Sequence, residues 1–185
     1  MGEMTLQVPI DTPKQVQKGC DAMKDAPTIP ADLKAYFRPV WMVLKNKTQF
    51  SINPDGTYFY SGCLHGESSN TSAYNVSGFG ARNSWGGTTG GARFKIKLDQ
   101  NNEVVFVIGF SNPYVGYYGA HIEESWDIKK NGYAKVAENG NNIESIHTYK
   151  GTSSSGAPLK FRLRLSIVSG QTMTITVVQE VWEEE

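Results

Sequence analysis

From Ala92 to Leu98, and again from Leu159 to Ile167, apolar and polar residues alternate without a break. Ala92, Phe94, Ile96 and Leu98 share one side of the first run, and Arg93, Lys95 and Lys97 the other. In the second, Leu159, Phe161, Leu163, Leu165 and Ile167 oppose Lys160, Arg162 and Arg164. A period of two puts successive side chains on opposite faces of an extended chain, so each run is a half-buried strand. Val104–Phe110 is nearly all apolar and predicts a central strand covered on both faces. Such strands need a second layer to cover them. Abundant Gly and β-branched and aromatic residues point the same way. The expected fold is mainly β: a β-sandwich with one or two short flanking helices, residues 1–185 forming one domain and 1–39 a helical N-terminal region.

The remaining elements follow from punctuation. An edge strand is predicted at Thr5–Ile10. Thr12-Pro13 starts a helix over Lys14–Asp25 with Val16, Cys20 and Met23 as a thin apolar stripe, stopped by Pro27 and Pro30. A second short helix is predicted at Ala31–Phe37. Val40 opens a strand, and Thr48–Gly62 reads as a hairpin turning at Asn53–Gly56. Further strands are expected near Ser72–Phe79, at Ser125–Lys130, at Ile143–Tyr149 and at Thr172–Trp182. Turns are expected at Asp99–Asn102 and Gly170.

Several functional classes lose support at this level. The 18 basic and 18 acidic residues cancel, which argues against a nucleic-acid partner; the basic strand faces read as solvated surface balanced by acids. His65, His121 and His147 are scattered, and Cys63-x-His65 is too small a set for a metal site. No metal, cofactor or catalytic group is expected. Glu123 and Glu124 face opposite ways on a strand and cannot act as a pair. Cys20 and Cys63 read as two unrelated buried thiols. No apolar run reaches the ~20 residues a membrane helix needs. The start, MGEMTLQVPID, does not read as a signal peptide; the expectation is a soluble protein that is secreted or released and acts at a target membrane.

The stretch after Phe110 stands apart. Ser111, Pro113, Tyr114, Tyr117, Tyr118 and Trp126 crowd a segment with little charge. Aromatic faces attract a quaternary ammonium such as choline, at about 0.5–2 kcal/mol per contact. Hydroxyl donors such as Ser111 suit the attached phosphate. Tyr and Trp also favour the polar boundary of a membrane. The same rings can equally close a sandwich core or stack on sugars.

TYFYSG (57–62), GGTTGGARF (86–94), NNEVVFVIGF followed by Ser111-Asn-Pro-Tyr114, and Trp126-Asp127-Ile128 together resemble the actinoporins, the sea-anemone pore-forming cytolysins. The resemblance covers Val40 to Ile128. A weaker one links the chain to the fungal aegerolysins and fruit-body lectins. The actinoporin resemblance implies a sandwich that binds phosphocholine lipid heads, in sphingomyelin or phosphatidylcholine, then self-assembles on the membrane into a pore through an N-terminal helix. By motif, Ser61, Ser111 and Pro113 match the headgroup site, and Tyr114, Tyr117 and Tyr118 fall in its aromatic loop. Arg93 stands where the family has a small apolar residue, and is expected to contact phosphate or to block the pocket. Trp126 is expected to touch the membrane. Tyr133 is isolated, with no tyrosine neighbour in sequence. The alternative function is a lectin-like carbohydrate-binding sandwich without pores.

The N-terminus departs from that pattern. Pro9, Pro13, Pro27 and Pro30 interrupt it. A helix of about a dozen residues spans only ~18 Å, short of a ~30 Å hydrocarbon core.

Overall fold

The computed structural model describes residues 2–184. Two sheets face each other. The larger contains β1 (Glu3–Thr5), β2 (Phe37–Lys47), β4 (Cys63–His65), β5 (Asn75–Asn83), β9 (Asn141–Glu144), β10 (Thr148–Thr152), β11 (Pro158–Val168) and β12 (Thr172–Glu183). Its order is β1-β10-β11-β12-β2-β5-β4, with β9 pairing β11 off that path. The smaller contains β3 (Ile52–Ser61), β6 (Thr88–Lys97), β7 (Glu103–Asn112) and β8 (Gly119–Glu124), in the order β3-β6-β7-β8. The sheets bury one shared core, in which Met42, Leu44, Phe161, Leu163 and Ile175 meet Phe94, Phe106, Ile108 and Phe110. Two helices, α1 (Pro13–Asp21) and α2 (Ala31–Lys34), lie at the larger sheet.

The mainly β sandwich with short helices is therefore the architecture observed. Both alternating strands sit in register as read, with every predicted inward residue buried. Val104–Phe110 is covered on both faces. Its outer cover is a turn of π-helix at Ile128–Gly132, continued by a 3₁₀ turn at Tyr133–Lys135. Gly91 and Gly109 make room for it: a Cβ on Gly109 would stand 2.2 Å from the Gly132 carbonyl oxygen, and one on Gly91 2.7 Å from Ile128. Thus 125–130 is not a strand. The Ser125 hydroxyl accepts from the Asp127 amide and the Asp127 carboxylate from the Lys130 amide, which curls the chain into a turn. The strand is Gly119–Glu124 instead.

Other differences have equally local causes. Asn53–Gly56 is a bulge within β3: Pro54 pairs with Phe94 and Thr57 with Ala92, so Asp55 and Gly56 together stand opposite Arg93, one residue more than the ladder needs. Pro54 is tolerated because β3 is an edge strand. The chain reverses earlier, where the buried Asn46 amide donates to Phe50 and Thr71 carbonyl oxygens and its oxygen accepts from the Thr48 amide. The strand expected near Ser72–Phe79 runs Asn75–Asn83. Ile143–Tyr149 splits at Ser145, whose hydroxyl takes over ladder bonds by donating to the His147 carbonyl and accepting from the Leu163 amide. Thr12 and Gln15 form a capping box, but α1 ends at Asp21 with Val16 its one buried residue. α2 stops at Lys34 because Phe37 already belongs to β2. In place of a strand at Thr5–Ile10, β1 covers Glu3–Thr5; Pro9 has no amide to continue a ladder, yet Leu6 and Ile10 reach the core. The two thiols are free, Cys20 half-buried and Cys63 exposed on the short edge strand β4, so neither is a core residue.

Candidate functional site

The register across the smaller sheet sets Ser61 opposite Thr89, Thr89 opposite Ser111, and Ser111 opposite Gly119. Residues 50 positions apart thus form one row of small side chains at one end of the sandwich. Thr89 and Ser111 share the sheet's outer face, since Phe94 and Phe110 fix the opposite parity as inward. Their hydroxyls lie 2.9 Å apart. The Ser61 hydroxyl donates to the Gly87 carbonyl at 2.7 Å and accepts from the Asn83 amide at 2.9 Å, tying β3 to the loop that precedes β6.

Around this row four chain segments present aromatic rings to solvent. Gly87 lies against the loop after β7, where a Cβ would come within 2.8 Å of Pro113 Cα and 2.7 Å of the Tyr114 nitrogen. Tyr114 meets Phe37 at the start of β2, ring centres 5.6 Å apart. Trp85 is 91% exposed, Tyr117 78% and Tyr60 70%, with Phe37, Tyr114 and Val115 exposed beside them. Rings left this bare beside a well-filled core make this end the candidate contact surface. Tyr118 differs: it packs against the core, so of the two adjacent tyrosines Tyr117 is the one offered outward.

A second group of rings lies on the outer face itself. Tyr133, carried by the turn over Gly109, stacks on Tyr60 at 5.4 Å and 14°, and approaches Tyr58 at 5.7 Å. Lys129 stands 5.5 Å from the Tyr58 ring centre. Tyr133, isolated in the sequence, is therefore one of three clustered tyrosines. Burial and the neighbouring phenols raise the pKa of its hydroxyl, which keeps it a neutral hydrogen-bond donor.

Arg93 and Trp126 are not gathered into this row. Arg93 donates to the Asp55 carboxylate at 2.9 Å, to the Asp55 carbonyl and to the Trp126 carbonyl. Its guanidinium lies 5.3 Å, and the Lys95 ammonium 4.7 Å, from the Trp126 ring. The Arg93 hydrogen bond holds the Asp55 carboxyl below its usual pKa. These contacts brace the bulge in β3, leaving Arg93 few free donors. Trp126 is half exposed, in a shallow cleft with Met4, Glu124 and His147, apart from the aromatic end.

Among the described residues no three of His, Cys, Asp and Glu converge as metal ligands, and no helix is long and apolar enough to cross a membrane. Trp85, Phe37, Tyr58, Tyr60, Thr89 and Tyr133 belong to the candidate site by position and are not singled out as ligand-binding by the sequence. Tyr58 and Tyr60 were legible, since TYFYSG alternates about Phe59, which packs on Phe110. Trp85 carries a weaker signal, a lone ring between Ser84 and Gly86. For Tyr133 no local signal exists.

No family model and no curated protein matches the sequence. Among solved structures, the lipid-binding protein Nakanori aligns over 90% of this chain and 79% of its own, with a TM-score of 0.50 and 16% identity. A lectin from Xerocomus chrysenteron aligns over 77% of this chain and 99% of its own, with a TM-score of 0.35 and 11% identity. At such identity the likeness to Nakanori is one of fold. The resemblance to the actinoporins remains one of short motifs.

Proposed function

We propose that the aromatic end docks on membranes by taking phosphocholine lipid headgroups. The observation that carries this reading is the set of exposed rings on the segments that meet at the Ser61–Thr89–Ser111 row. Trp85, Tyr114 and Tyr117 enter the interfacial layer, where each ~100 Å² of apolar surface removed from water contributes about 2.5 kcal/mol before ordering costs. The Tyr58–Tyr60–Tyr133 cluster offers ring faces to the choline ammonium, and the phenol, Thr89 and Ser111 hydroxyls offer donors to its phosphate. Pro113 holds the loop and limits the entropy lost on binding. The fold shared with a lipid-binding protein is in keeping with this.

The reading stops at docking. An inserted N-terminal helix would require β1 to leave β10 and Leu6 and Ile10 to leave the core. At 1.5 Å per residue the nine residues of α1 span ~14 Å. Sedimentation with phosphatidylcholine or sphingomyelin vesicles tests the assignment. Wild type co-sediments without releasing trapped dye, free phosphocholine displaces it, and simple sugars do not. Unchanged sedimentation of Trp85→Ala/Tyr117→Ala would remove the rim from the function. Displacement by sugars alone would make the protein a lectin.

A further inference from the structure

The chain has five arginines. Arg93, Arg162 and Arg164 each pair with a carboxylate. Arg38 and Arg82 pair with none among the described residues, and both lie at the aromatic end. Arg38 donates to the Tyr114 carbonyl at 3.2 Å and lies 5.4 Å from the Phe37 ring centre. Arg82 lies 4.4 Å from the ring centre of Tyr36. It sits next to Asn83, which pairs with Phe37 and holds Gly87 through its side chain. The Nε of each is shielded from solvent with no hydrogen-bond acceptor in reach.

Two further features set these residues apart from ordinary surface cations. The rim segments 36–38, 57–62, 82–89 and 111–118 contain both arginines and no Asp, Glu or Lys, in a chain whose formal charge is zero. Asp32, on α2, is paired with His65 at 3.0 Å. Arg38 also has φ 54°, a left-handed conformation that residues other than glycine rarely adopt. That backbone twist accompanies the reach of its guanidinium to the Tyr114 loop. A guanidinium held beside a ring rather than by a carboxylate keeps its charge uncompensated and its remaining terminal N–H groups available to a phosphate.

We propose that Arg38 and Arg82 take lipid phosphates at the rim and give the protein a preference for bilayers containing anionic phospholipid. The inference rests on the docking of the aromatic end proposed above. Each arginine near an anionic surface is expected to raise affinity about fivefold at low salt. The gain falls as salt shortens the screening length to about 8 Å at 0.15 M.

The test compares sedimentation on phosphatidylcholine vesicles with that on phosphatidylcholine–phosphatidylserine vesicles, for wild type, Arg38→Gln/Arg82→Gln and Arg38→Lys/Arg82→Lys. The expected result is tighter wild-type binding to the anionic vesicles, a gain abolished in the Gln pair and largely kept in the Lys pair. No gain in wild type, or the same gain in the Gln pair, overturns the proposal. Arg38 supports the Tyr114 loop, so Arg82→Gln alone provides a second arm. Its guanidinium makes no hydrogen bond within the described residues, and the variant should keep the wild-type melting temperature while losing its own fivefold share; a full gain there also counts against the proposal. Binding to phosphatidylcholine alone, and its loss in Trp85→Ala/Tyr117→Ala, reads the underlying docking separately.

Discussion

The outer face of β11–β12 and the aromatic end both carry basic residues, and they use them in opposite ways. On β11, Arg162 and Arg164 both reach Glu144 and Glu180, and Lys160 sits between Glu3 and Glu184. Those partners come from β9, β12, β1 and the chain end, so the face is neutralised by its neighbours. At the aromatic end the arginines meet rings and a backbone carbonyl instead of carboxylates. A basic strand face is thus no indication of a ligand until its partners are known. Residue type is the same in both places; the neighbours decide.

Four experiments can break or sharpen that contrast. The largest effect is expected from Leu163→Ala, which empties a fully buried position behind the neutralised face. It should cost about 2–5 kcal/mol of stability, read by denaturant unfolding, while the folded fraction binds vesicles like wild type. Weakened binding per folded molecule would mean that the two regions are coupled. Next comes Trp85→Ala/Tyr117→Ala, expected to lower vesicle affinity roughly 10–100-fold, one or two steps of 1.4 kcal/mol, with no loss of melting temperature. A matching drop in stability would turn those rings into packing residues. Arg162→Gln should leave the melting temperature nearly unchanged and vesicle binding unaffected, as befits a solvent-screened ion-pair network. A binding defect there would move the lipid surface to the wrong face.

The smallest effect is a pH dependence at the bulge. The hydrogen bond from Arg93 lowers the folded-state pKa of Asp55. The stabilisation is therefore complete above the unfolded value near 3.9 and disappears as pH falls through the lower folded value. Asp55→Asn should flatten the acid limb of the unfolding midpoint against pH. A limb unchanged by that substitution would place the acid sensitivity elsewhere.

How much of this was readable in advance varied by element. The strands 92–98, 104–110 and 159–167 were legible because alternation is set by each residue's own neighbours in the chain. Asn53–Gly56 and 125–130 were misread because Asn46, Ser125 and Asp127 redirect the backbone with side-chain hydrogen bonds, which hydropathy does not register. Ser61 and Ser111 were proposed together from motif alone, and the register through Thr89 places them in one row. Arg93, drawn into the same group by motif, is held by Asp55 and Trp126.

What the sequence determined by itself was the set of strands and which side of each is apolar, since a period of two is a local property of the extended chain. Only the tertiary structure decided which outward residues would find partners. Tyr133 meets Tyr60 because Gly91 and Gly109 leave a flat place for its turn, and Arg162 meets Glu144 because β9 returns beside β11. Among the described residues Arg38 and Arg82 pair with no carboxylate, and the rim segments 36–38, 57–62, 82–89 and 111–118 carry none. Pairing across such separations depends on where distant segments pack, and no pattern within one strand encodes it.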